Sequence, residues 1–336
     1  MSQSPSILTD RFQRSHSYLR ISITERCNFR CTYCMPAAGI PLSPKNHIMT
    51  YEEVFLVAQK FVALGVTKIR ITGGEPLVRK DVALILEKLA TLPVELSITT
   101  NGVLIDKYIE TFKACGIQKI NVSIDSLDEQ KFNTITRRND FKKVMENIRL
   151  FVKDDFFKIK LNCVLMKGFN EDEIPAFIQL TKDLNINVRF IEFMPFDGNK
   201  WNLDQLVSHQ QVLDKATQFF GNSLVGKIED APNDTSKNYR INNYQGSFAI
   251  ISTVTNPFCD SCNRIRLTAN GKLKNCLFSN GETDLLTALR NGESIETAIR
   301  VAINSKRKMR GGMDTQQQFT SDELRNQNRS MTAIGG

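Results

Sequence analysis

The chain has 336 residues, 41% of them hydrophobic and 24% charged, with a formal net charge of +8. No run approaches the roughly 18 apolar residues that cross a membrane and the first residues lack the apolar stretch of a secretory signal, so an ordinary globular protein of a reducing, cytoplasmic compartment, with no membrane association, is expected. Eight cysteines in a chain of this length exclude a disulfide scaffold, and the positive balance suits a polyanion, either nucleic acid or a phosphorylated small molecule.

In chain order, six short β-branched runs alternate with helix-like segments. Strands are expected at 18–24, 66–74, 94–102, 118–125, 157–165 and 187–195; helices are expected at 51–64, 80–91, 104–115, 127–135, 140–152 and 171–184. Such alternation implies crossovers and a parallel sheet. Six units starting near residue 18 predict an α/β fold, an incomplete (β/α)6 TIM-like barrel.

Five of the strands alternate polar with apolar residues: Arg20, Ser22 and Thr24; Lys68, Arg70 and Thr72; Glu95, Ser97 and Thr99; Asn121, Ser123 and Asp125; Lys158, Lys160 and Asn162. Side chains of a strand alternate with period two, so each has one polar face. Burying Arg20, Arg70 and Lys160 without partners would cost about several kcal/mol each. The polar faces are therefore expected to surround a cavity filled by a charged ligand or by water. An antiparallel sheet with one wet face gives the same alternation, but the connections are too long for hairpins. Beyond residue 196 the pattern weakens, and the polar run "APNDTSKNYRINNYQGS" places a boundary within 215–250. The expected organisation is a barrel domain over 11–230, a smaller C-terminal region over 231–330 and a flexible tail over 331–336.

Cys27, Cys31 and Cys34 follow the first strand directly, on a loop at its C-terminal end, where α/β sheets place their sites. Thiolates select zinc, copper(I) or iron–sulfur clusters. Three of them can hold three irons of a cubane and leave the fourth open. In "TGGEP", residues 72–76, Gly73 and Gly74 let the backbone approach a ligand closely, and Glu75 is a candidate acceptor for an ammonium. Cys259, Cys262 and Cys276 form a second incomplete set. The Asn270-Gly271 pair between them predicts a hairpin that brings the mid-260s opposite Cys276. Zinc with a distant ligand such as His209 is the alternative. Arg264 and Arg266 leave one strand face together, an arrangement suited to phosphate or a purine edge. The lone Cys115 and Cys163 read as small buried hydrophobes.

The C-x-x-x-C-x-x-C spacing with Tyr33 before its last cysteine resembles the radical S-adenosylmethionine superfamily. Within it, the second triplet, the Arg264-Ile265-Arg266 run and the terminal GG are similar to the GTP 3′,8-cyclase family of molybdenum cofactor biosynthesis, from about Arg20 to the last residue. The resemblance implies two 4Fe–4S clusters, held by Cys27, Cys31 and Cys34 and by Cys259, Cys262 and Cys276. It implies S-adenosylmethionine near Tyr33, Gly74, Glu75, Ser123, Arg189 and Met194, and GTP on Arg20, Arg70, Thr99, Lys160, Arg264 and Arg266. Catalytic roles fall to Gly335 and Gly336 together with Arg264 and Arg266.

The implied activity is that of a lyase: a 5′-deoxyadenosyl radical removes the 3′ hydrogen of GTP, and C3′ then bonds to C8 of the guanine. An electron-donor protein, the next enzyme of the molybdopterin pathway and a second copy of the chain are the implied partners. Arg20, Arg70, Thr99, Ser123 and Lys160 lie on the polar strand faces found without the resemblance. Arg189 and Met194, on a sixth strand with no clean alternation, rest on it alone. A peptide-modifying radical enzyme is disfavoured by the short C-terminal cysteine set. A basic zinc protein on nucleic acid is disfavoured by the lack of an aromatic-rich basic stripe, so no stable nucleic-acid partner is expected.

Overall fold

The computed structural model describes residues 7–197, 199, 201–321 and 329–335. Six strands, β1 (Tyr18–Ser22), β2 (Lys68–Thr72), β3 (Glu95–Thr100), β4 (Lys119–Ser123), β5 (Lys158–Leu165) and β6 (Asn187–Glu192), occupy the expected runs. Between them lie α1 (Tyr51–Ala63), α2 (Val82–Ala90), α3 (Ile109–Ala114), α4 (Glu129–Thr136), α5 (Phe141–Val152) and α6 (Ile174–Gln179). Local chemistry sets these boundaries. At α1, Thr50 accepts from the Glu53 amide while Glu53 accepts from the Thr50 amide, a reciprocal cap that satisfies two otherwise unpaired donors. Val54, Val57, Ala58 and Phe61 then bury one face at helical spacing.

Every pairing from β1 to β6 is parallel, which removes the antiparallel alternative. The C-terminal half adds to the same sheet. After α7 (His209–Phe220) come β7 (Val225–Lys227), β8 (Lys237–Ile241) and β9 (Ser247–Ile251), and β9 pairs parallel with β6. On the opposite edge β10 (Arg264–Leu267) pairs parallel with β1. It also starts the hairpin to β11 (Lys272–Lys274), followed by β12 (Thr283–Asp284), α8 (Leu285–Arg290) and α9 (Ile295–Asn304). The order β12-β11-β10-β1-β2-β3-β4-β5-β6-β9-β8-β7 thus contains eight adjacent parallel strands, β10 through β9. The hairpin is legible in Asn270-Gly271; the parallel seat of its first strand is not, because its partner lies over two hundred residues upstream.

Leu19, Ile21, Ile69, Ile71, Ile120 and Val122 are fully buried under the helices, each contributing about 1.5–3 kcal/mol. They belong to one continuous apolar cluster. A second, smaller cluster gathers Phe193, Phe196, Trp201, Val254, Phe278, Met313, Phe319 and Ile334. Its members come from widely separated segments around one side of the cavity described next.

Candidate active site

The polar strand faces enclose a cavity of about 690 Å³. Arg20, Arg70, Thr99, Asn121, Lys160 and Asn162 all line it, as their alternation predicts. Arg189 of β6 joins them. Burial in β6 alternates as cleanly as elsewhere; an inward-facing Ile191 hides the period in the sequence. The cations crowd one another. Burial and Arg189 bring the Lys160 ammonium down to about 7. Burial and neighbouring guanidiniums bring Arg20 and Arg189 to about 10 and Arg266 to about 9. Tyr18, which sequence reasoning missed, accepts from Arg70 Nε. Burial opposes ionisation of this phenol, but Arg70 and Arg20 draw it down to about 7. Such a charge density calls for a polyanion. The Oδ1 atoms of Asn121 and Asn162 and Nη2 of Arg264 are buried without a hydrogen-bond partner among the described residues, which marks the space as a place for a polar ligand.

All six clustered cysteines line this same cavity. The first loop is pinned from below: Gly74 and Glu75 donate to the carbonyls of Thr24 and Arg26 at 2.7 and 2.8 Å. A Cβ on Gly74 would stand 2.4 Å from the Arg26 carbonyl oxygen, so this glycine serves a close backbone approach. Glu75 is not brought to the cavity. Its carboxylate lies under the loop, accepting from the Asn101 amide at 2.6 Å, Thr100 Oγ1 at 2.8 Å and the Leu77 amide at 3.0 Å. Burial pushes it up to about 7. The sequence reading offered this carboxylate to an ammonium; three donors of the protein already bind it.

Tyr33 donates to Asp125 at 2.8 Å, and Asp125 also accepts from the Val164 amide at 2.8 Å. Asp125 was legible only as a polar-face position. Ser123, Gly74 and Met194 line the cavity as expected.

The second set converges through the hairpin. Register pairs Arg266 with Lys274, which carries Cys276 back toward Cys262. Cys259 Sγ accepts from the Arg310 amide at 3.4 Å, and Cys262 Sγ from Lys306 at 3.4 Å. Both belong to the basic run "NSKRKMRGG", residues 304–312, which by charge alone is expected to be solvated surface; Lys306 is instead buried. His209 does not line the cavity and meets Tyr239 at 3.0 Å and Ser252 at 3.3 Å, so it is no distant zinc ligand to this set.

The terminus is threaded rather than loose. Met331–Ile334 forms a helical turn, with Ile334 only 1% exposed in the second apolar cluster. Arg266 Nη1 donates to the Gly335 carbonyl at 2.6 Å. Gly335 has φ +87°, and a Cβ there would lie 2.3 Å from Thr72 Oγ1; only glycine fits. Gly336 lies outside the described residues.

Among the described residues no group of three or more His, Cys, Asp or Glu side chains forms a ready site for a single metal ion, so the cysteine sets are judged on donor chemistry. Each offers three thiols and no nitrogen ligand, which fits an iron–sulfur cluster with one iron left open better than a closed zinc site. Burial and mutual proximity push Cys31 and Cys34 well up; bound metal reverses this, because coordinated thiols are deprotonated. In the second set burial acts in the same sense, yet Lys306 and Arg264 draw Cys262 down to about 6.

Residues 21–181 match the radical SAM superfamily model and residues 186–311 the Molybdenum Cofactor Synthesis C model. A protein of Arabidopsis thaliana named "GTP 3′,8-cyclase, mitochondrial" is 43% identical over 98% of this chain and 84% of its own length. The GTP 3′,8-cyclase of Peptoclostridium acidaminophilum is 44% identical over 90% of this chain and 92% of its own. The chain belongs to the GTP 3′,8-cyclase family. Against animal relatives it spans about half their length, as with the human molybdenum cofactor biosynthesis protein 1, 42% identical over 96% of this chain and 50% of that one. Among solved structures, Streptococcus suis SuiB bound to S-adenosylmethionine superposes with a TM-score of 0.58 at 16% identity, covering 92% of this chain and 71% of that one; this shows the radical SAM type of fold alone. A radical SAM enzyme of this family carries a 4Fe–4S cluster and uses S-adenosylmethionine. No helix among the described residues is long and apolar enough to cross a membrane.

Proposed function

We propose that this chain converts GTP to (8S)-3′,8-cyclo-7,8-dihydroguanosine 5′-triphosphate, the first step of molybdenum cofactor biosynthesis, in a cavity flanked by two 4Fe–4S clusters. The observation that carries the reading is that both cysteine sets line one cavity with a crowd of buried cations between them. Residues 11–230 would generate the radical within an incomplete barrel, residues 231–330 would hold the guanine, and the terminal glycines would complete the site. When bound, the cluster on Cys27, Cys31 and Cys34 supplies the electron that splits S-adenosylmethionine and yields the radical that takes the 3′ hydrogen.

The chain's own residues bind, orient and exclude. Arg20, Arg70 and Lys160 meet the triphosphate, and the repulsion among them and the neighbouring Arg189 is relieved when phosphate charge enters. Arg264 is held with its guanidinium over the Phe258 ring at 4.7 Å, a rigid fork beside Cys262. Arg266 holds the Gly335 carbonyl and so fixes how far the tail enters. Tyr33, tied to Asp125, forms part of the wall near the first cysteines. Holding both substrates still is worth more than any single contact. An electron-donor protein, the next enzyme of the pathway and a second copy of the chain are the proposed partners, in a reducing compartment such as the cytoplasm.

Anaerobic reconstitution with a reductant, S-adenosylmethionine and 3′-deuterated GTP tests the proposal. Deuterium is expected in 5′-deoxyadenosine. Turnover of a peptide without GTP consumption would instead mark a maturase.

A further inference from the structure

Lys306 follows α9 (Ile295–Asn304) and is 2% exposed. Its ammonium donates to Cys262 Sγ at 3.4 Å and to the Arg264 carbonyl at 2.9 Å. It forms no ion pair with a carboxylate of the described residues. An ammonium is costly to bury unless a negative group answers it, and the group that answers this one is the sulfur of Cys262.

Apart from the cysteines themselves, the charged groups acting on Cys259 and Cys262 have the same sign, and Asp260 between them is exposed to solvent. The Arg310 amide donates to Cys259 Sγ at 3.4 Å. Arg264 stands beside Cys262; Arg14, already paired with Asp10 at 2.7 Å, holds the loop by donating to the Cys259 carbonyl at 2.8 Å. The first set lives among opposite charges: Glu75 lies under Cys27, and Asp125 acts on Cys31 and Cys34. There the donors to sulfur are neutral, the Phe29 amide at 3.4 Å from Cys27 with Asn101 and Tyr33, and the cation Arg30 acts on Cys27 while binding its carbonyl at 2.6 Å.

We infer that Lys306 is a positioning residue that sets the electron affinity of the group held by Cys259, Cys262 and Cys276. The inference rests on the reading of that set as a cluster site. Reduction makes a cluster more negative. A buried cation hydrogen-bonded to one of its thiolates stabilises the reduced form and raises the potential. The cysteine spacing does not disclose this, since the lysine lies thirty residues beyond Cys276.

The test uses the full chain with Cys27, Cys31 and Cys34 replaced by alanine, reconstituted anaerobically so that iron enters only the second set. Three proteins are compared: that parent, the parent with Lys306→Met and the parent with Lys306→Arg. Iron and sulfide are assayed first, and each protein is then titrated with dithionite while the reduced-cluster EPR signal is followed. Equal iron in all three, a more negative midpoint for Lys306→Met and a midpoint near the parent's for Lys306→Arg are expected. Full iron with an unmoved midpoint in Lys306→Met overturns the inference alone. Iron lost from Lys306→Met but kept in Lys306→Arg means that the lysine holds the loop and tunes nothing, which overturns it too. A parent that takes up no iron overturns the second-cluster reading, and this inference with it.

Discussion

The two cysteine sets face one cavity but are built in opposite ways. The first occupies eight consecutive positions, 27–34, on a loop anchored by backbone bonds to the neighbouring "GGEP" turn. The second depends on a hairpin register, on an arginine from near the N-terminus and on a lysine beyond α9. A local site is set by its own spacing and a few glycines. A site assembled over distance fails in more ways, and its electrostatics can be set independently of its ligands.

Separating the sets by their cysteines gives the largest expected effect. Cys34→Ala should abolish S-adenosylmethionine cleavage and about half of the bound iron, while Cys276→Ala should remove the other half and leave uncoupled 5′-deoxyadenosine formation. Iron analysis with a deoxyadenosine assay checks both. Loss of all iron from either variant would show that the two sites are not independent.

Gly335→Ala comes next. The added methyl has no room beside Thr72 and Ser22, so the tail must withdraw and loosen the Arg266 contact. Cyclisation is expected to fall about 10²-fold through misplacement alone, while thermal stability and iron content stay near those of the parent. Product analysis against deoxyadenosine yield tells coupling from radical formation.

Gly74→Ala and Gly271→Ala sharpen the contrast between local and distant assembly. At Gly74 a methyl strikes the Arg26 carbonyl; at Gly271, φ +69°, it strikes Leu286 at 2.4 Å. Each should cost about 1–3 kcal/mol of stability. The first should lose iron from the Cys27 set alone and the second from the Cys276 set alone, as read by EPR in the two alanine backgrounds.

Much of this was legible in the residues, and the exceptions have physical causes. The six strands and the cavity-facing Arg20, Arg70, Thr99 and Lys160 follow from period-two alternation, which a one-face-polar sheet cannot disguise. Strand β6 was obscured because Ile191 takes an inward position. The turn at Asn270-Gly271 is local chemistry and could be read; the pairing of β10 with β1 is a long-range event and could not. Glu75 looked available because a sequence shows a charge but not its partners, and three groups of the chain already donate to it. Arg14 carries no local signature, and Lys306 sits in a basic run that reads as solvated surface because a sequence does not show which of several adjacent cations is turned inward.

The last predicted effect concerns pH. Lys160 titrates near 7 in the free protein, below its ordinary range, because it is buried beside Arg189. Only its charged form attracts a triphosphate. Below pH 7 that form is present before binding. Above pH 7 binding must take up a proton, and affinity for GTP should fall by up to about tenfold per pH unit. Tyr18 works in the same sense: near pH 7 it passes to the phenolate, adding a negative charge among the guanidiniums that receive the phosphates. Lys160→Arg should keep the charge and remove the lysine's share of the pH dependence, leaving the shallower share that Tyr18→Phe removes. Equilibrium binding of GTP between pH 6 and 9, without S-adenosylmethionine, checks the pair. A flat profile in the unmodified protein would mean that the cations around Lys160 are not where the triphosphate goes.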